Sequence, residues 1–178
     1  MTKPNNQTNQ PNRWRRRLIE FFLYTVLIFA LVLALDWYRN RQVPESLPVQ
    51  QPLMDIQGKG HDLQSLSHEG PILVYFWATW CPICQLTSPV MDSFNDTYPV
   101  VSIALRSGDD QKLQHYMTAK DYHFPVINDQ DGLLTAQWQV GVTPTIALVV
   151  NGQVVWVTSG VTTSLGLQAR LWFYKHFN

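Results

Sequence analysis

Hydrophobic positions follow two regimes along this chain, one unbroken and one punctuated. Residues 18–35 read LIEFFLYTVLIFALVLAL, eighteen residues whose only charge is Glu20, near the start. At about 1.5 Å rise per residue, a helix of that length nearly spans a hydrocarbon core of about 30 Å. Beyond Leu53 the apolar residues come in short runs. Ile72 to Trp77 is continuous and β-favouring, as in a strand covered on both faces. From Pro82 the spacing changes to Ile83, Leu86, Val90, Met91 and Phe94, which predicts one face of a helix. Val100 to Leu105 predicts a second buried strand. Asp109 or Asp110 can cap a helix carrying Leu113, Tyr116 and Met117. Residues 145–150, the dipeptide Asn151-Gly152 and residues 153–157 predict a strand, a tight turn and a strand. Ser164 then caps a last helix that buries Leu167, Leu171 and Tyr174. A short hairpin from residues 53–56 and 58–63 is expected in front. The order β-α-β-α-β-β-α is that of an α/β domain with two early parallel strands and two late antiparallel ones.

Four segments follow from this pattern. Residues 1–17 form a polar tail, residues 18–35 a transmembrane helix, residues 36–52 a linker and residues 53–178 a globular domain. The first twelve residues are rich in Asn, Gln, Thr and Pro and predict disorder. Pro44, Pro48 and Pro52 predict an extended linker. Charge orients the anchor. Lys3, Arg13, Arg15, Arg16 and Arg17 precede the apolar run without an acid among them, whereas Arg39 and Arg41 follow it. Basic residues stay on the cytoplasmic side, so the tail is expected in the cytoplasm and the domain on the other side of the membrane. Trp14 on one side and Trp37 with Tyr38 on the other stand where aromatic rings favour the membrane–water interface. A cleaved signal peptide is the competing reading, but no small-x-small site follows the run. From Asp36 onward the chain carries eight basic and twelve acidic residues, and its formal charge as a whole is zero. No basic face for nucleic acid is expected.

The chain has two cysteines, and both lie in one Cys-x-x-Cys, so no disulfide framework is encoded. Trp80-Cys81-Pro82-Ile83-Cys84 falls where the first long strand ends and a helix begins. At a helix start, free backbone N–H groups and the helix dipole favour a thiolate on Cys81. Pro82 suits the first helical position, because its missing N–H has no partner to lose there. Cys84 lies one turn on, within bridging distance and deeper. Such a placement lowers a cysteine pKa from about 8.5 to between roughly 3.5 and 7.5. Cys81 is therefore read as the nucleophile and Cys84 as the resolving thiol.

These residues also carry a resemblance. YFWATWCPIC is similar to the active-site segment of thioredoxins, and Pro89 matches the proline that kinks their active-site helix. Gly141-Val142-Thr143-Pro144-Thr145 resembles the family's loop with a cis-proline facing the disulfide. Phe124-Pro125-Val126-Ile127, Asp129-Gln130-Asp131-Gly132 and Val140-Gly141-Val142 resemble a branch of membrane-tethered, periplasm-facing members. That branch serves cytochrome c maturation or suppresses copper sensitivity. The resemblance implies a thioredoxin fold with a central mixed sheet flanked by helices, over about residues 53–178. It implies a protein thiol–disulfide oxidoreductase, more often a reductase, with no cofactor beyond the cysteine pair. Its partners are disulfide-bearing client proteins and a thiol electron donor in the inner membrane. Thr143 and Pro144 are expected to present backbone to an extended client segment beside Cys81. Of the two nearby tryptophans, Trp77 inside the strand run is read as core, and Trp80, adjacent to Cys81, as either core or client-facing. Two positions depart from the family: Tyr75 stands where thioredoxins bury an aspartate, and Thr87 where cytochrome-maturation members often carry a glutamate.

Three other functions compete. A thiol oxidase of the same fold would use the same cysteines in the opposite direction. A copper or zinc carrier could use the two thiolates. Zinc, however, wants two more ligands, and His61, His68, His115, His123 and His176 form no tight ligand spacing, so no metal site is expected. A scaffold that uses the fold only for docking is the third.

Overall fold

In the computed structural model, residues 13–40, 44, 46–49 and 51–177 are described. Side chains at 13–16, 29, 32, 33, 35–40, 173 and 175–177 lie outside that description, as does the expected disordered tail over residues 1–12. The chain divides into two units, Met1–Tyr38 and Arg39–Asn178. Helix α1, Arg13–Asn40, lies in the first but for its last two residues and covers the apolar run read from the sequence. Its described apolar side chains, among them Phe21, Phe22, Leu27 and Leu31, are exposed within the chain. Among the described residues, no helix is long and apolar enough to cross a membrane.

The second unit is built on a five-stranded sheet of β3 (Ile72–Trp77), β4 (Val100–Leu105), β5 (Val126–Asp129), β6 (Thr145–Val150) and β7 (Gln153–Ser159), in the order β5-β4-β3-β6-β7. Strand β3 lies at its centre, parallel to β4, which is parallel to β5. On its other side β3 pairs antiparallel with β6, which pairs antiparallel with β7. Alternation along β3 explains its unbroken apolar run. Leu73, Tyr75 and Trp77 face a core with Met91, Leu113, Met117, Leu167 and Leu171. Ile72, Val74 and Phe76 face a second core with Leu63, Val149 and Trp138. Every β3 side chain is buried, as expected of a strand with both faces covered.

A two-stranded hairpin, β1 (Leu53–Met54) with β2 (Gly60–His61), precedes the sheet. Helix α2 (Leu63–Glu69) follows it, in place of an extension of that hairpin to residue 63; Asp62 caps it, accepting from the N–H groups of Gln64 and Ser65. Helix α3 (Cys84–Asn95) follows β3, and α4 (Asp110–Lys120) follows β4 with Asp109 as its cap. Short α5 (Leu133–Gln137) follows β5. Helix α6 (Ser164–Phe177) ends the described chain. Its cap is Thr163, whose hydroxyl accepts from the Gly166 N–H at 3.2 Å, so the expected cap at Ser164 shifts by one residue. Asn151 and Gly152 turn the β6–β7 hairpin with φ of 51° and 73°, the left-handed pair a two-residue turn requires.

The linker also holds structure. Ser46 bridges to Gln153, and the Leu47 N–H donates to the Gly152 carbonyl at 3.2 Å. The Leu47 side chain is buried in the second core. Folded packing therefore reaches back to Ser46, several residues before the expected domain start at Leu53.

Candidate active site

Strand pairing assembles the site. Because β6 runs antiparallel to β3, with Phe76 opposite Thr145, the start of β6 lies beside the end of β3. The chain leaving β3 thus meets the loop entering β6. Cys81 and Cys84 come from the first, and Thr143 and Pro144 from the second. The Thr143–Pro144 peptide is cis, as the resemblance implies. The Thr143 carbonyl oxygen lies 3.6 Å from Cys81 Sγ.

Cys81 and Cys84 are joined in a disulfide, with 5.3 Å between their Cα atoms. A disulfide sulfur has no proton to donate, so the approach to Thr143 is a contact in this state and becomes a possible S–H donation on reduction. The turn is closed by the Cys81 N–H on the Ala78 carbonyl at 3.2 Å, and by the Gln85 and Leu86 N–H groups on Pro82 and Ile83. The α-helix proper starts at Cys84, so Pro82 occupies the lead-in turn, two residues before the helix it was expected to open. The Cys84 N–H donates to Cys81 Sγ at 3.2 Å. A free N–H at a helix start is thereby aimed at the sulfur that becomes the thiolate on reduction. Cys81 is not openly exposed: it retains 5% of its surface against 1% for Cys84.

The inner face of α3 differs from the expected stripe. Cys84, Thr87, Ser88, Met91 and Phe94 are buried, while Ile83 and Leu86 are exposed. Small polar side chains take the inside next to β3, leaving the two aliphatic ones at the mouth. With exposed Trp80 and Val142, they place apolar surface on both segments that carry the site. Pro89 lies inside α3 and is exposed; lacking an N–H, it cannot donate to the Gln85 carbonyl.

A brace from the loop after β4 holds the cysteine loop, and no signal in the sequence marked it. The Thr79 N–H donates to Ser107 Oγ at 3.0 Å, and Ser107 Oγ donates to the Leu105 carbonyl at 3.1 Å. The Trp80 indole N–H donates to the Arg106 carbonyl at 3.1 Å. Arg106 holds φ of 45°, a conformation non-glycine residues seldom adopt. Trp77, in contrast, is wholly buried, its indole N–H on Ser102 Oγ.

Behind Cys84 the two departing positions are both buried. The Tyr75 hydroxyl pairs with Ser88 Oγ at 2.9 Å and lies 3.5 Å from the Cys84 carbonyl. Burial pushes the Tyr75 phenol far above its ordinary range, against a smaller opposing effect of the Ser88 bond, so it stays neutral and cannot serve as a base. The Thr87 hydroxyl reaches the Ile83 carbonyl at 3.4 Å. Neither position offers a carboxylate. Three of the histidines are paired elsewhere: His61 with Asp55, His68 with Gln64, and His123 with Asp92 and Asp121; the His176 side chain lies outside the described residues. Among the described residues, no group of three or more His, Cys, Asp or Glu is placed to hold a metal.

Fold and cysteine pair together define a thioredoxin-like thiol–disulfide oxidoreductase. The AhpC/TSA family model matches residues 44–158, and the chain belongs to that family. It is 40% identical over 164 residues to a thioredoxin-like protein of Haemophilus influenzae, covering 91% of this chain and 98% of that one. It is 25% identical to the thiol-disulfide oxidoreductase ResA of Oceanobacillus iheyensis, covering 89% of each. The crystal structure of StoA from Bacillus subtilis superposes with a TM-score of 0.61 at 23% identity, covering 70% of this chain and 97% of that one, a likeness of fold.

Proposed function

We propose that this protein is tethered to the inner membrane by residues 18–35 and reduces disulfides of client proteins on the periplasmic side. The observation that carries the chemistry is the Cys81–Cys84 disulfide at the head of α3, with the Thr143 carbonyl 3.6 Å from Cys81 Sγ. The anchor and its orientation rest on the sequence, through the unbroken apolar run and the basic residues before it.

In the reduced protein the Cys81 thiolate attacks one sulfur of a client disulfide. The client S–S bond breaks, one client thiolate leaves, and Cys81 is joined to the other. Cys84 then loses its proton and attacks Cys81 Sγ, expelling the second client thiolate. Two electrons have passed to the client, and the Cys81–Cys84 disulfide has formed. A membrane thiol donor restores the dithiol by the same exchange. Thr143 and Pro144 supply backbone along which an extended client segment lies, and Trp80 with Val142 gives it apolar cover.

The reading is tested by capture in cells. Cys84→Ser should accumulate mixed disulfides with client proteins through Cys81, released by reductant, and Cys81→Ser should accumulate almost none. Equal capture by both variants contradicts the assignment. A Cys81→Ser, Cys84→Ser double variant that keeps full function in cells would favour a docking scaffold instead.

A further inference from the structure

The loop entering β6 brings the Thr143 carbonyl to within 3.6 Å of Cys81 Sγ, and a loop keeps such an aim only where its neighbours are tied down. Both neighbours are. The Pro144 carbonyl accepts from the Gly160 N–H at 2.9 Å. The Val142 carbonyl accepts from the Thr145 hydroxyl at 2.8 Å, which closes residues 142–145 into a turn with Thr143 between its ends. Thr145 stands directly opposite Ser159 across the β6–β7 pair, and their hydroxyl oxygens are 2.7 Å apart. Counting protons fixes the direction of that bond. A hydroxyl has one proton to give and a carbonyl has none. Thr145 spends its proton on Val142, so Ser159 donates and Thr145 accepts. Thr145 keeps only 2% of its surface, and Ser159 is half-buried, so water is a poor substitute for either partner.

We propose that Thr145 and Ser159 are positioning residues for client binding. Ser159 orients the Thr145 hydroxyl, and that hydroxyl holds the Val142 carbonyl so that Thr143 meets the client beside Cys81. The inference rests on the reading in which Cys81 attacks the client disulfide and residues 143 and 144 lie along the client segment. Neither hydroxyl enters the sulfur chemistry, so their effect falls on how well an extended segment is held. Shape alone does not require threonine at position 145. Valine fills nearly the same space, but it leaves the Val142 carbonyl and the Ser159 hydroxyl without their partner, and an unmet buried polar group is costly. Serine keeps the hydroxyl and loses only a methyl group.

The test uses the full chain, reduced, with two chromogenic probes under stopped flow. One is a short peptide whose single cysteine is joined to an aryl thiol, and the other is the symmetric aryl disulfide. Attack by the Cys81 thiolate on either breaks the S–S bond and releases a coloured aryl thiolate. Thr145→Val should raise the half-saturating peptide concentration by about three- to tenfold, the worth of one hydrogen bond. The limiting rate on the peptide and the rate on the aryl disulfide should stay within about twofold, since the lost bond acts on binding alone. Thr145→Ser should restore the parent half-saturation. Ser159→Ala should give a smaller rise, and the double variant should be no worse than Thr145→Val alone, because the two hydroxyls act in series. Parent half-saturation in Thr145→Val, equal losses on both probes, or failure of Thr145→Ser to restore binding overturns the proposal. Should Thr145→Val not fold, Ser159→Ala decides: parent half-saturation in that variant is equally contrary. No thiolate release by the parent chain from either probe contradicts Cys81 as nucleophile, and the proposal falls with that reading.

Discussion

The Thr143 carbonyl and Cys81 Sγ, 62 residues apart in sequence, lie 3.6 Å apart at the head of α3. The contact follows from antiparallel β6 returning beside β3. A client sulfur approaching Cys81 must share that space with backbone of residues 143 and 144. Bulk placed there should act on client binding more than on intrinsic thiol chemistry. Val142→Asp, which puts charge on the exposed apolar residue next to Thr143, should raise the KM for a protein disulfide severalfold. The rate with a small disulfide should change little; equal losses on both substrates contradict a client-facing loop.

Cys81 should alkylate faster than Cys84 in the reduced protein at neutral pH. It keeps 5% exposure against 1%, and its sulfur accepts the Cys84 N–H, a bond that favours the thiolate. Mass spectrometry after a short pulse of iodoacetamide reads the order directly. Earlier modification of Cys84 would exchange the two roles.

Stability depends on residues before the expected domain start. A fragment beginning at Pro44 keeps the Leu47 side chain in the second core and its N–H on Gly152. One beginning at Leu53 loses both. The shorter fragment should be less stable by about 2–3 kcal/mol, the worth of one buried leucine with a backbone hydrogen bond. Urea midpoints of the two fragments check this; coincident midpoints would place the boundary at Leu53.

Acid should weaken the front hairpin. Burial opposes ionisation of Asp55, yet His61 at 2.7 Å and the N–H groups of Lys59 and Gln57 hold its carboxyl below the usual range. A depressed native pKa gives stability that is present above the unfolded value of about 3.9 and lost as pH falls through the native one. Asp55→Asn should therefore cost most near neutral pH, and the difference in urea midpoint from the parent should begin to shrink as pH falls below about 4. A constant difference down to pH 3 or so argues against a charged Asp55 in the native state.

Legibility in the sequence followed how local each determinant was. Strand β3 and the Asn151-Gly152 turn were readable because their signals lie within a few adjacent residues. Helices α2 and α5 and strand β5 escaped, being seven, five and four residues long; side-chain oxygens fix the starts of the two helices, and pairing with β4 fixes the strand. Asp62 caps α2, and Asp129 accepts from the Leu134 N–H, the Thr135 N–H and the Thr135 hydroxyl at the start of α5. The orientation of α3 was misread for a physical reason. Hydrophobicity pointed to Ile83 and Leu86, but packing beside Tyr75 selects the small side chains of Thr87 and Ser88. The cysteine pair was plain from spacing, whereas its neighbourhood with Thr143 and Pro144 came through family likeness. The Ser107 and Arg106 brace depends on where β4 ends in space, which no local pattern encodes.

Whether the Cys81–Cys84 pair is poised to reduce its clients is read from its equilibrium with glutathione. Stabilising the Cys81 thiolate favours the dithiol and makes the disulfide more oxidising. Pro82 and Ile83 between the cysteines add no charge to that balance. The expected midpoint is nearer that of thioredoxin, about −270 mV, than that of a strong oxidant at about −120 mV. A value at the oxidising end of that range would contradict the reductase assignment and make the protein a thiol oxidase.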